Sequence, residues 1–267
     1  MSTLTERKQA AIVELQKRSF WKATQPSIQQ QILGLPDDCA GYLEDLINRQ
    51  IEVGGVRQIA ISELIVPDAR PIFSILTIYL VQSLKDPSLA YRYQYHSWKH
   101  GPNSGSKGLL FVRNGFKLTH LLCLRGESFA VGGPTFDTFG GFIEVKKDDI
   151  NKMVGNFKRE ISEEMGLKPE DELDLEEIIP LGRLFVDRGL TNNHPFIFAA
   201  VVNGEKATKI KTEEDAGNPD PYEMRSGTFL VPIKDVWGQK GFAMQNDDGY
   251  FLSIMMRMVA LGRIVLS

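Results

Sequence analysis

Between Ile150 and Leu167 the chain carries a residue pattern that a single amphipathic helix satisfies. Ile150, Val154, Phe157 and Ile161 recur at helical spacing and form an apolar stripe. On a helix turning by roughly 100° per residue, Glu160, Glu163 and Glu164 fall within about 100° of arc, so they share one face. That face is centred roughly 90° from the stripe, which lets the helix bury one side and present carboxylates from the next. Asp148 or Asp149 suits the N-cap, and Gly166 suits the left-handed turn that ends a helix. Gly155 weakens the middle modestly. Such a helix demands an apolar surface to lie on. It also demands a cation, because three crowded acids repel one another, and a hard divalent ion with oxygen ligands, Mg²⁺ or Mn²⁺, meets that need.

The stretch Arg159-Glu160-Ile161-Ser162-Glu163-Glu164-Met165-Gly166-Leu167 resembles the second half of the box of the Nudix hydrolases, Arg-Glu-apolar-x-Glu-Glu-x-Gly-apolar, at every defined position. Upstream, Gly140-Gly141-Phe142-Ile143-Glu144 looks like the Gly-Gly-x-x-Glu segment of the first half, but the interval from Gly141 to Arg159 is four residues longer than in that pattern. Counting forward from Gly141 reaches Lys147, and counting back from Arg159 reaches Asn151, so the upstream box glutamate is missing at both positions. A lengthened loop over 145–149 accounts for the interval, with Glu144 and Asp148 as substitutes for that acid.

The resemblance implies an α/β fold, a Nudix-type α/β/α sandwich with a mixed sheet. It implies metal-dependent cleavage of a pyrophosphate bond in a nucleoside diphosphate linked to another moiety, such as a nucleotide sugar, a dinucleotide or ADP-ribose. By the same resemblance, Glu160, Glu163, Glu164 and the backbone carbonyl of Gly141 are the metal ligands. Glu163 and Glu164 serve catalysis, and Arg159 orients the carboxylates. A general base is expected from a loop beyond the central strands, where Glu223 is the first candidate and Glu213 and Glu214 follow. A non-catalytic Nudix-fold nucleotide sensor signalling through the N-terminal region is the competing reading; retention of all three helix glutamates favours the enzyme. For substrate contacts, Arg125, Arg183 and Arg188 are candidates for phosphates, and Phe129, Phe185 and Tyr222 for a base, with the loop from Asp187 to His194 beside them.

The rest of the chain constrains partners. A net charge of −3 over 267 residues, and eleven Lys and Arg against ten Asp and Glu in the first 105, provide no basic arm for nucleic acid. The expected partner is a nucleotide-type small molecule, with a homodimer allowed. Cys39 and Cys123 lie far apart without CxxC spacing, as buried reduced thiols would. The polar start of the chain lacks a secretory signal and the longest apolar run, from Ile72 to Val81, is too short to span a bilayer, so the expected location is cytoplasmic and not membrane-bound.

The loop Gly101-Pro102-Asn103-Ser104-Gly105-Ser106 divides the chain into an N-terminal region, 1–104, mainly helical or mixed and of unknown role, and a hydrolase domain, 105–267. In the first, helices are expected over 4–21, 28–33 and 38–51, while 58–65 and 72–84 read equally as strand or helix. Tyr91, Tyr93 and Tyr95 alternate as one face of a strand. In the second, Asn114-Gly115 between two apolar runs is a hairpin signal. Strands follow at 179–186, 196–202 and 228–231, and a last helix at 251–264.

Overall fold

The computed structural model describes residues 3–49, 51–66, 73–102, 105–128, 133–142, 149–167, 174–185, 187, 189–191, 193–207 and 226–265. The chain forms two compact units, Met1–Ser104 with Asp187–His194, and Gly105–Val186 with Pro195–Ser267. The segment Asp187–His194, expected with the second region, clusters with the first.

The first unit is an antiparallel four-stranded sheet with helices. Helices α1 (Leu4–Leu15), α2 (Ser19–Ala23), α3 (Pro26–Leu33) and α4 (Ala40–Asn48) precede strands β1 (Glu52–Val53), β2 (Val56–Ile65), β3 (Ser74–Ser83) and β4 (Ala90–Trp98), in the order β1-β2-β3-β4. The single helix expected over 4–21 is two, because the chain turns at Gln16 and Arg18 resumes in extended conformation as the α2 N-cap. The helix expected from Asp38 begins as one 3₁₀ turn, Asp37–Cys39, after Pro36. Both ambiguous runs are strands. Burial alternates along β3, where Ile75, Thr77, Tyr79 and Val81 are buried on the face that packs with Tyr42, Leu43 and Leu46. Within that core the Tyr42 hydroxyl meets Thr77 Oγ1 at 3.0 Å, and the Arg49 guanidinium lies over the Tyr95 ring at 4.1 Å while bonding Asp45 at 2.8 Å.

The second unit is a mixed sheet between helices. Strands β5 (Ser106–Asn114), β6 (Lys117–Ser128), β7 (Gly133–Asp137), β8 (Leu175–Arg183), β9 (Phe196–Asn203) and β10 (Ser226–Pro232) form a six-stranded sheet ordered β10-β6-β5-β9-β8, with β7 paired to β6. β5 and β9 run parallel and the other pairs antiparallel. The expected hairpin is present: β5 and β6 pair across Asn114-Gly115, with Gly115 at φ 59°.

Period-two alternation sends Leu109 and Phe111 of β5 with Ile197, Ala199 and Val201 of β9 to one face, against helix α7 (Gly249–Ala260). Leu110 and Val112 with Phe198, Ala200 and Val202 pack on the other face, against helix α5 (Ile150–Glu164). A sheet buried on both sides between two helices is the α/β/α arrangement expected. A short helix α6 (Gly204–Ala207) follows β9, and α7 stops at Ala260, short of the expected 264, although Ile264 beyond it is still buried.

The position of α5 is set by its apolar side and by one glycine. Met153, Phe157 and Ile161 are buried, whereas Ile150 is 36% exposed, so the stripe runs through Met153 in place of Ile150. A side chain at Gly108 would overlap the Phe157 ring, so its absence lets the helix come down onto β5. Phe157 then stacks on Phe198 with centroids 5.3 Å apart. Of the two cap candidates, Asp149 serves, its Oδ1 accepting from Lys152 N at 3.2 Å. Met165 is the C-cap, and Gly166 at φ 60° makes the left-handed turn after it.

Candidate functional site

The helix carboxylates of α5 meet the Gly140-Gly141 segment, which runs along the start of β5. Ser106 N donates to Gly141 O at 3.1 Å, and Gly108 N donates to Phe139 O at 2.8 Å. Gly140, at φ 144°, lies so close to this strand that a Cβ would overlap the Ser106 carbonyl. Its N–H donates to Glu164 Oε2 at 3.1 Å. At Gly141 a Cβ would overlap the Glu160 carboxylate. The two parts of the motif, separated by the lengthened interval, therefore touch through Glu160 and Glu164.

Arg159 ties the remaining acid into the group. Its guanidinium donates to Glu163 Oε2 at 2.5 Å, to Asn156 Oδ1 at 2.8 Å and to Glu160 Oε1. Asn156, buried on the same helix, donates through Nδ2 to Ser106 Oγ at 2.9 Å and to Gly141 O at 3.3 Å. Asn156 thus connects the helix, strand β5 and the glycine segment. It lies four residues before Glu160, and the sequence signal for it was a polar residue one turn back from the acids on the buried side.

A second set of charged groups surrounds Glu164. Lys107 Nζ is 3.4 Å from both Asp137 carboxylate oxygens and from Thr138 O. Asp248 caps α7, accepting from Tyr250 N at 2.8 Å and Phe251 N at 3.3 Å. Burial pushes the Glu164 carboxyl well above its ordinary range, against the opposing pull of Lys107 and the Gly140 N–H, and with Glu160 and Asp137 adding to the rise. Burial also lifts Asp248, to about 6, assisted by Asp137. At Lys107 burial disfavours the ammonium, but Asp137, Glu164 and Asp248 outweigh it and the net shift is upward. Lys107, Asp137 and Asp248 carry no sequence signal beyond Lys107 as a charge just before the buried run 108–112 of β5.

Lys107 and Arg159 therefore face five carboxylates, Asp137, Glu160, Glu163, Glu164 and Asp248. Among the described residues, no group of three or more His, Cys, Asp and Glu is drawn together as a metal cage. Glu160 and Glu163 instead share the Arg159 guanidinium, and Gly141 O already accepts two protein hydrogen bonds. The donor set nevertheless fits a hard divalent cation. Among the described residues it is all oxygen, its five carboxylates outnumber its two cations, and burial disfavours the charged form of Glu164 beyond what Lys107 offsets.

Other anticipated residues have separate places. Glu223, Glu213 and Glu214, the base candidates, lie outside the described residues, as do Glu144, Asp148, Arg188, Phe129 and Tyr222. Arg125 lies over the Phe229 ring at 6.0 Å and Arg183 over the Phe196 ring at 5.9 Å. Phe185 is 43% exposed. His194 N donates to Pro102 O within the first unit. Both cysteines are free and buried, and no helix among the described residues is long and apolar enough to cross a membrane.

No family model matches the chain, and no curated protein matches it. Among solved structures, the chain resembles a crystal structure of an ADP compounds hydrolase at 13% identity and a TM-score of 0.46, over 76% of this chain and 96% of that one.

Proposed function

We propose that the second unit is a Nudix-type hydrolase that uses Mg²⁺ or Mn²⁺ to cleave the pyrophosphate bond of a nucleoside diphosphate linked to another moiety. The observation that carries this reading is the contact between the two parts of the motif: Gly140 on Glu164 and Gly141 on Glu160, across an interval four residues longer than the pattern prescribes. A solvated acidic helix end has no need of a glycine pair packed against its carboxylates.

In this reading Glu160, Glu163 and Glu164 would hold the divalent cations, which when bound neutralise phosphate oxygens and acidify a water. Arg159 keeps Glu160 and Glu163 on a common side through its fork of donors. Gly140 N–H fixes the Glu164 carboxylate, and Asn156 holds Gly141 and Arg159 in register. The water oxygen bonds to phosphorus as the bridging P–O bond breaks, and the bridging oxygen leaves with the other phosphate. One water proton passes to a base, for which Glu223 is the candidate.

The test is hydrolysis of a panel of nucleotide sugars, dinucleoside polyphosphates, NAD(H), ADP-ribose and nucleoside triphosphates with Mn²⁺, with Mg²⁺ and with excess EDTA. Metal-dependent release of two phosphate-bearing products from a diphosphate-linked compound is expected, and it identifies the bond cut. Failure to turn over any member with either metal would overturn the reading.

A further inference from the structure

We propose that Lys107 is a phosphate-binding residue of this site, its ammonium meeting an oxygen of the substrate's pyrophosphate; the inference rests on the reading given above. Of the two cations facing the carboxylates, Arg159 is committed. Its donors reach Asn156, Glu160 and Glu163, the first at 2.8 Å and the last at 2.5 Å. Lys107 is held differently. Among the described residues its hydrogen-bond contacts are to the two Asp137 oxygens and Thr138 O, each at 3.4 Å, with Glu164 and Asp248 as further charged neighbours. Charge-assisted N–H···O bonds run at about 2.7–2.9 Å, so the ammonium has donors to spare for a better acceptor.

Its location suits that role. Lys107 is the second residue of β5, directly after Ser106, which bonds Asn156. A Cβ at Gly140 would crowd the Lys107 backbone as well as the Ser106 carbonyl, so the lysine is anchored beside the residue whose N–H holds Glu164. The Lys107 side chain as a whole is 23% exposed. A lysine ammonium on a flexible stem binds phosphate as a point charge, without the fixed geometry an arginine fork requires.

The competing role is a structural ion pair between β5 and the end of β7, and the experiment separates the two. ADP binding in the presence of Mn²⁺, and Mn²⁺ binding alone, are measured for wild type, Lys107→Gln and Lys107→Arg. Loss of a charged hydrogen bond predicts ADP binding about ten- to a hundred-fold weaker in Lys107→Gln, partly restored in Lys107→Arg, with Mn²⁺ binding unchanged in both. Unchanged ADP affinity in Lys107→Gln overturns the inference while leaving the hydrolase reading intact, and a parallel fall in Mn²⁺ binding assigns Lys107 to holding the site together. A wild-type chain that binds neither Mn²⁺ nor ADP overturns the hydrolase reading itself. Should Lys107→Gln fail to fold, amine acylation of the wild-type chain followed by peptide mass spectrometry gives the answer. Inorganic pyrophosphate with Mn²⁺ is expected to protect Lys107 selectively, and equal labelling with and without it would contradict the role.

Discussion

Gly140 donates its backbone N–H to the Glu164 carboxylate at 3.1 Å, although Gly140 lies in the segment after β7 and Glu164 closes α5. The bond fixes one acid of the helix in a place where burial alone would favour its protonated form. It depends on a backbone at φ 144° pressed against Ser106, a conformation and a proximity that only glycine accommodates.

Gly141→Ala should be more damaging than its size suggests. The added methyl overlaps the Glu160 carboxylate, the far end of a flexible side chain, so that carboxylate must swing away from the glycine segment. Thermal denaturation should report little loss, whereas metal-dependent hydrolysis should fall at least tenfold because Glu160 is displaced. Wild-type turnover in Gly141→Ala would show that Glu160 is not needed where it stands.

Asn156→Ala removes a buried amide bonded to Ser106 Oγ, Gly141 O and the Arg159 guanidinium. Leaving those partners unmet should cost about 1–3 kcal/mol in chemical denaturation. Turnover should drop beyond what that instability explains, since the glycine segment and Arg159 each lose one of their holding bonds. Asn156→Asp, which keeps only the acceptor toward Arg159, should recover none of the contact to Gly141.

Asp248 gives a pH signature that does not depend on activity. Its folded-state pKa is raised from 3.8 to about 6 by burial and by Asp137, with Lys107 opposing. The folded chain therefore binds this proton more tightly than the unfolded chain, so stability falls as pH rises through the interval from 3.8 to about 6 and stays lowered above it. Asn at this position keeps one acceptor oxygen, enough for the shorter cap bond from Tyr250 N, while the bond from Phe251 N to the second oxygen is lost. Asp248→Asn should melt higher than wild type at pH 7.5 in EDTA, with the gap narrowing toward pH 4. An equal melting difference at both pH values would contradict the assignment.

A fragment beginning at Gly105 probes the division of the chain. It retains both faces of the mixed sheet but separates 187–194 from its partners, since Tyr93 Oη donates to Gly189 O at 2.7 Å and His96 N to Leu190 O at 2.7 Å. The fragment should be soluble and cooperative in melting, with limited proteolysis cutting first within 187–194. An aggregated fragment would mean that this unit requires the first to fold.

The parts legible in the sequence were those governed by local rules. The Asn114-Gly115 turn, the apolar period of α5 and the glycine after Met165 all follow from backbone preference or face burial. The break between α1 and α2 was not legible, because apolar spacing continues through it while the backbone does not. In the site, the acids of α5 and Gly141 stood out as a linear pattern. Lys107, Asp137 and Asp248 did not, because sheet pairing brings Lys107 and Asp137 to Glu164 and the α7 cap brings Asp248 to Lys107 and Asp137 from distant parts of the chain. Asn156 was hidden for a different reason, being a polar residue inside the buried side of its own helix.

The most direct test of the account is Mn²⁺ binding by titration calorimetry in wild type, Glu163→Gln and Glu164→Gln, each paired with Mn²⁺-dependent hydrolysis of the best compound from the panel. The account predicts uptake by the wild-type chain, weakened binding in both variants, a fall in turnover of about two orders of magnitude or more, and an unchanged fold by circular dichroism. Near-normal turnover in both variants, or a wild-type chain that takes up no Mn²⁺ with or without ADP, would contradict it.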